Sequence, residues 1–278
     1  MGTTPAGPAE PATLTGSVMF APADLPALEV ASCYLPVDVR GIGGDWLDVI
    51  ALPGARVALV VGDVVGHGVA AAATMGRLRA AVHTLAAMDL PAEKVLTRLD
   101  GFVARLAEQV ARRDDFAGWI MSATCLYIVY DLASRRCTVA RAGHPPPAII
   151  DSSGGVTFPD LPAGTPIGLG MCSFESAEME LPEESVIAVY TDGLIESRES
   201  DIDTGLKRLS SALGCTATVL HDYCSHVIDT MTTAKIPRQD DIALLMARTR
   251  ARRGGSGRAV RRNRRTAGRP SPVASMGR

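Results

Sequence analysis

Residues 43–68 read GGDWLDVIALPGARVALVVGDVVGHG, and the spacing inside this stretch decides how the rest of the chain is arranged. Pro53-Gly54 separates two apolar runs of strand length, Trp46 to Leu52 and Arg56 to Gly62, and such a dipeptide between such runs signals a hairpin turn. A hairpin centred near Gly54 places Asp45 opposite Asp63. Directly opposed strand residues lie only about 4.5 to 5.5 Å apart at Cα. Two carboxylates held there repel unless a cation or a proton sits between them.

The second half of the chain repeats the pattern. Asp192 closes the apolar run Val186 to Thr191, and Asp240 stands before the run Ile242 to Ala247, so antiparallel pairing of these runs brings the two acids to one end. Four carboxylates at one sheet edge, flanked by glycines that let backbone carbonyls approach, suit hard divalent cations such as Mg²⁺ or Mn²⁺. The alternative is that each Asp caps its own strand or turn. Two such ions about 3.5 to 4 Å apart activate water against phosphorus without a protein nucleophile. The sequence agrees with that economy: it contains no G-x-S-x-G, no H-E-x-x-H and no G-x-x-x-x-G-K-[ST].

Working outward, strand-length apolar runs also occur at Leu28 to Leu35, Ala123 to Tyr130, Cys137 to Ala142 and Ala148 to Asp151. Val69 to Ala87 and Pro91 to Arg112 have helical length and period, with Pro91 at a helix start. A second helical pair is expected near Gly205 to Leu213 and Thr218 to Thr232. Hairpins with helices inserted in pairs predict a layered α+β domain rather than a βαβ wound sheet.

Composition bounds the function. The chain has 278 residues, 47% hydrophobic and 21% charged, which is ordinary globular usage. Its apolar runs are too short to cross a bilayer, and residues 1–16, MGTTPAGPAEPATLTG, lack the basic and apolar regions of a secretory signal, so the reading is cytoplasmic with no membrane partner. Six cysteines with no C-x-x-C pair read as free thiols. The net charge of −2 conceals an asymmetry: Arg248 to Arg278 holds 11 Arg and no acid, leaving 17 bases against 30 acids, a net of −13, in residues 1–247. Residues 1–16 therefore read as a flexible leader, 17–248 as the domain, and 249–278 as a disordered Arg-rich tail. Clustered Arg can contact phosphate backbones, but the tail offers no aromatic residue for base stacking, so nucleic-acid contact is the lesser reading.

Six segments in order, GGDWLDV, GDVVGHG, ATCLYIVYD, AGHPPP, YTDGLIE and DDIALL, resemble the PPM (PP2C-like) metal-dependent protein phosphatases, in particular the bacterial SpoIIE/RsbU-like serine phosphatase branch. The resemblance spans about residues 28–247 and implies a four-layer αββα sandwich of mainly antiparallel sheets. It also implies two Mn²⁺ or Mg²⁺ ions and action on phosphoserine or phosphothreonine in a protein. By match of motif, Asp63 is the acid bridging both ions, Val64 supplies a main-chain carbonyl, and Asp45, Asp192 and Asp240 are further ligands; Asp241 is adjacent to the last. The family usually carries Tyr where Leu47 stands, which reads as the loss of an outward aromatic.

Other candidates are weighed residue by residue. His67 can act as a proton donor to the leaving group or as a loop residue. His144, beside a proline turn, reads as structural, and His83, His221 and His226, on expected helices, as surface or core residues. Arg40 can hold the substrate phosphate or stand solvated. In this branch a sensor domain commonly precedes the catalytic one; here about 27 Pro-rich residues precede the first strand, so either an activator acts in trans on helices 69–112 or activity is constitutive. The implied substrate is a phosphorylated anti-sigma-factor antagonist in a partner-switching pathway. Two rival functions are a non-catalytic binding module of the same fold and a nucleic-acid-associated protein working through its tail.

Overall fold

In the computed structural model, which describes residues 28–37, 43–111, 121–170, 173–197, 200–215, 217–232 and 240–250, the hairpin forms in the register its turn demands. The elements run β1 (Leu28–Leu35), β2 (Trp46–Leu52), β3 (Arg56–Val64), α1 (Gly68–Ala86), α2 (Ala92–Ala111), β4 (Ala123–Asp131), β5 (Arg136–Ala142), β6 (Ala148–Ile150), β7 (Val156–Thr157), β8 (Ser176–Glu180), β9 (Val186–Tyr190), α3 (Ile202–Leu213), α4 (Leu220–Met231) and β10 (Ile242–Thr249). Trp46 faces Gly62 and Leu47 faces Val61. One step further, the Val64 amide donates to the Gly44 carbonyl at 3.3 Å, so the pairing runs on past Asp45 and Asp63. Gly62 is required by this register, because a Cβ there would lie 2.1 Å from the indole of its partner Trp46.

Two antiparallel sheets result, one ordered β1-β10-β9-β6-β7 and the other β2-β3-β4-β5-β8. Each helix buries one stripe. In α1 the buried positions are Ala71, Thr74, Leu78, Val82 and Ala86, and in α4 they are Leu220, Tyr223, Cys224, Val227, Ile228 and Met231, both at helical spacing. Helices α1 and α2 cover the β2-to-β8 sheet around Leu78, Leu96 and Tyr127; α3 and α4 cover the other around Leu209, Tyr223 and Leu244. Between the sheets lies a third apolar layer, including Val49, Leu59, Ile128, Val189 and Leu245. The order is helix, sheet, sheet, helix: the α+β four-layer αββα sandwich.

One reading is corrected. Leu47 is not outward: it is buried between the sheets, because residue parity on β2 turns it toward the inner layer. His83 lies on α1, half-buried, with its Nε2 3.3 Å from the carboxylate of Asp48. Strand β8, SAEME, was not legible as a strand, because it forms an edge whose side chains are mostly exposed or half-exposed and so shows no apolar run. The leader, Arg40 and the tail beyond Arg250 lie outside the described residues. No helix among those described is long and apolar enough to cross a membrane.

Asp48 carries a buried charge interaction. Its carboxylate, fully buried on β2, accepts from Arg79 of α1 through Nε at 2.9 and 3.0 Å and through Nη2 at 2.8 Å. This fork pins α1 to the hairpin. Removing one partner of such a pair strands a buried charge, at a cost of about 3–5 kcal/mol. We expect Arg79→Leu to lose stability of that order in urea unfolding, and the double change Asp48→Leu with Arg79→Leu to lose markedly less.

Candidate metal centre

The acid-bearing strand ends converge where the two sheets meet. Asp45 and Asp63 come from the β2–β3 hairpin; Asp192 begins the 3-10 turn Asp192–Leu194 that follows β9; Asp240 stands two residues before β10, the neighbour of β9. Close approach depends on glycine at two points. A Cβ on Gly193 would lie 2.1 Å from the Asp241 carbonyl and 3.3 Å from the Asp240 Cβ, and one on Gly44 would lie 2.6 Å from the Val64 carbonyl oxygen.

The carboxyls feel one another. Burial holds Asp45 well above the usual carboxylate range, and the charge of Asp63 adds to this. Asp63 is pushed up to about 7 by burial and then by Asp192, and it hydrogen-bonds the carboxyl of Asp45. Asp192 is raised by burial, as is Asp240, to which Asp192 and Asp241 add their charges. Among the described residues, none of the leading influences on the four is a Lys or Arg. Acids that raise one another in this way are the condition a cation relieves.

The donor set is oxygen only, as Mg²⁺ and Mn²⁺ prefer. Among the described residues no three His, Cys, Asp or Glu side chains close on one point. An ion that keeps several waters and takes one or two carboxylates does not require such closure, so the residues fit a hydrated divalent cation.

The remaining candidates separate by their partners. Both oxygens of Asp241 are committed: Oδ1 accepts from the Val37 amide at 2.8 Å and Oδ2 from the Gly44 amide at 3.2 Å, and the Tyr34 hydroxyl also hydrogen-bonds it. Buried in this way, Asp241 fixes the approach to Asp45 rather than facing outward. His67 is exposed at the N-terminus of α1, and its ring makes no capping bond. His144 is buried, with Nδ1 at 2.7 Å from Thr124 Oγ1 and Nε2 at 3.0 Å from the Tyr190 carbonyl. Burial pushes its pKa down to about 3, so it remains neutral. The sequence reading missed Thr191, whose hydroxyl donates to Asp45 Oδ2 at 2.7 Å and accepts from the Ala243 amide at 2.9 Å. Its place beside Asp192 was the available signal.

A family model described as Stage II sporulation protein E (SpoIIE) matches residues 53–250, more than half of the chain. The chain belongs to that family. It is 26% identical over 162 residues to the phosphoserine phosphatase RsbP of Bacillus subtilis strain 168, covering 57% of this chain and 38% of that protein. It is 25% identical over 174 residues to the phosphoserine phosphatase RsbU of the same organism, covering 62% and 48%. The chain therefore spans less than half the length of these two relatives. Among solved structures, the RsbU and RsbW domains of Rv1364c from Mycobacterium tuberculosis match with a TM-score of 0.70 at 30% identity, over 81% of this chain and 61% of that one. The catalytic domain of the serine threonine protein phosphatase PstP in complex with 2 manganese ions matches in fold, with a TM-score of 0.58 at 17% identity, over 81% and 99%.

Because Asp63 contributes repulsion when no cation is present, Asp63→Asn is expected to behave in opposite ways with and without metal. Without divalent ions at pH 8 it should be more stable than wild type, by about 1 kcal/mol; with Mn²⁺, wild type should gain melting temperature and the variant should not. Thermal unfolding of both proteins, with and without chelator, checks this.

Proposed function

We propose that this chain is a metal-dependent protein phosphatase that hydrolyses phosphoserine or phosphothreonine. The observation carrying the reading is the convergence of Asp45 and Asp63 from one sheet with Asp192 and Asp240 from the other, all raised above the usual carboxylate range by burial and, for three of them, by one another's charge. Membership of the SpoIIE family, and similarity to two proteins named phosphoserine phosphatases, support it. Asp45, Asp63, Asp192, Asp240 and the Val64 carbonyl would hold two Mn²⁺ or Mg²⁺ ions, with Asp241 positioning Asp45. Bound there, the ions supply Lewis-acid activation of water. The chain's own contribution is placement: the hairpin register and the β9–β10 pairing bring the acid-bearing strand ends to the same edge of the sandwich.

In this reading residues 17–248 form the catalytic domain, flanked by the leader and the Arg-rich tail, and an activator acts on helices 69–112. The substrate is a phosphorylated anti-sigma-factor antagonist, a partner-switching role supported by the RsbU-like relatives. Wild type should hydrolyse a phosphoserine peptide and p-nitrophenyl phosphate only with Mn²⁺ or Mg²⁺, and Asp63→Ala and Asp192→Ala should each be silent. A wild type that binds Mn²⁺ yet turns over neither substrate, with or without candidate activators, overturns the reading.

His67 is the proposed proton donor to the serine leaving group, supported by its exposed ring at the start of α1, four residues after Asp63. Nitrophenolate leaves without protonation and serine alkoxide does not. His67→Asn should therefore slow phosphoserine turnover by about 10²-fold or more while changing p-nitrophenyl phosphate turnover little. Equal losses on both substrates would remove His67 from that role.

A further inference from the structure

The two sheets that contribute the acids are separated by an apolar layer of Leu, Val, Ile and Ala side chains. Such packing is non-directional and does not by itself fix how far apart two strand ends stand. At the acidic end, however, the sheets are joined by hydrogen bonds of defined length. Thr191, at the end of β9 in one sheet, donates to Asp45 of the other at 2.7 Å, while its own oxygen is oriented by the Ala243 amide at 2.9 Å. The second connection passes through His144. Its Nε2 faces a carbonyl, that of Tyr190 on β9, so Nε2 must carry the proton. Nδ1 is then an acceptor and receives a hydrogen bond from the Thr124 hydroxyl, 2.7 Å away on β4. Thr124 is the strand partner of Asp63, and Tyr190 lies two residues before Asp192.

We infer that Thr191 and the Thr124–His144–Tyr190 chain are positioning elements that fix the gap between the two acid pairs and thereby set the affinity for the divalent ion. The inference rests on the metal-binding reading above and assigns these residues no contact with ion or substrate. Both connections use neutral groups, so they brace the acids without adding a charge that competes with the cation. Each reaches one member of each pair's neighbourhood: Thr191 holds Asp45 directly and is the residue before Asp192, and the His144 chain runs from the partner of Asp63 to the strand leading into Asp192.

The test is Mn²⁺ titration calorimetry on the full chain, with unfolding temperature measured in parallel without metal. Thr191→Val and Thr124→Val keep side-chain shape and remove the hydroxyls; each should weaken Mn²⁺ binding by about 10- to 100-fold. Thr191→Ser, which retains the hydroxyl, should recover most of the affinity. In ¹⁵N spectra of wild type, His144 should show the Nε2-protonated tautomer. Valine variants that melt lower but bind Mn²⁺ as tightly as wild type overturn the inference while leaving the phosphatase reading standing, because the side chains then serve folding alone. The opposite His144 tautomer removes its chain from the bracing. A wild type that takes up no Mn²⁺ overturns the metal reading itself, and this inference with it.

Discussion

Like charges do not gather unaided, and the energetic problem of this fold is the repulsion among Asp45, Asp63, Asp192 and Asp240. Burial makes it worse, since desolvation is the leading cause of every upward shift in the group. The cluster exists because covalent geometry and packing elsewhere impose it. A proline-glycine turn fixes which residues oppose one another on β2 and β3. Three apolar layers press the sheets and helices together, and fixed hydrogen bonds from Thr191, His144 and Asp241 hold the strand ends. Stability earned in the core is spent at one edge.

Much of this was legible in sequence, for local reasons. Pro53-Gly54 sets a register within ten residues, so the juxtaposition of Asp45 with Asp63 follows from short-range turn chemistry. The helical stripes of α1 and α4 were legible because packing against one sheet face leaves a 3.6-residue period. What escaped was tertiary. The partnership of Thr191 with Asp45 spans 146 positions, and that of Asp241 with Val37 spans 204; no window of sequence contains either pair. Leu47 was misread because an alternating strand pattern does not say which face is covered when both are. Asp48 drew no notice beside Asp45, although it anchors α1.

The two faces of the β2–β3 hairpin divide the labour. Toward the helices, Asp48 engages Arg79 and His83 of α1; toward the other sheet, Leu47 and Val49 enter the inner layer; at its open end stand the acids. Helix α1 begins four residues beyond Val64, so the element next to the site in sequence is also tied by an ion pair to the strand that carries Asp45. The Asp48–Arg79 fork therefore joins α1 to that strand by short charged hydrogen bonds, beside the buried apolar stripe of the helix.

The pairing of β1 with β10 joins the first described strand to the last, Leu28 opposite Thr249, and β10 lies between β1 and β9 inside its sheet. A nascent chain emerging from the ribosome thus carries β1 and β9 for some time without the strand that belongs between them, and Asp240 arrives just ahead of it. The acids of the first hairpin can assemble early, but the full quartet forms only at the end of synthesis of this region. Vectorial synthesis consequently keeps the charge cluster incomplete until the surrounding layers are in place to contain it.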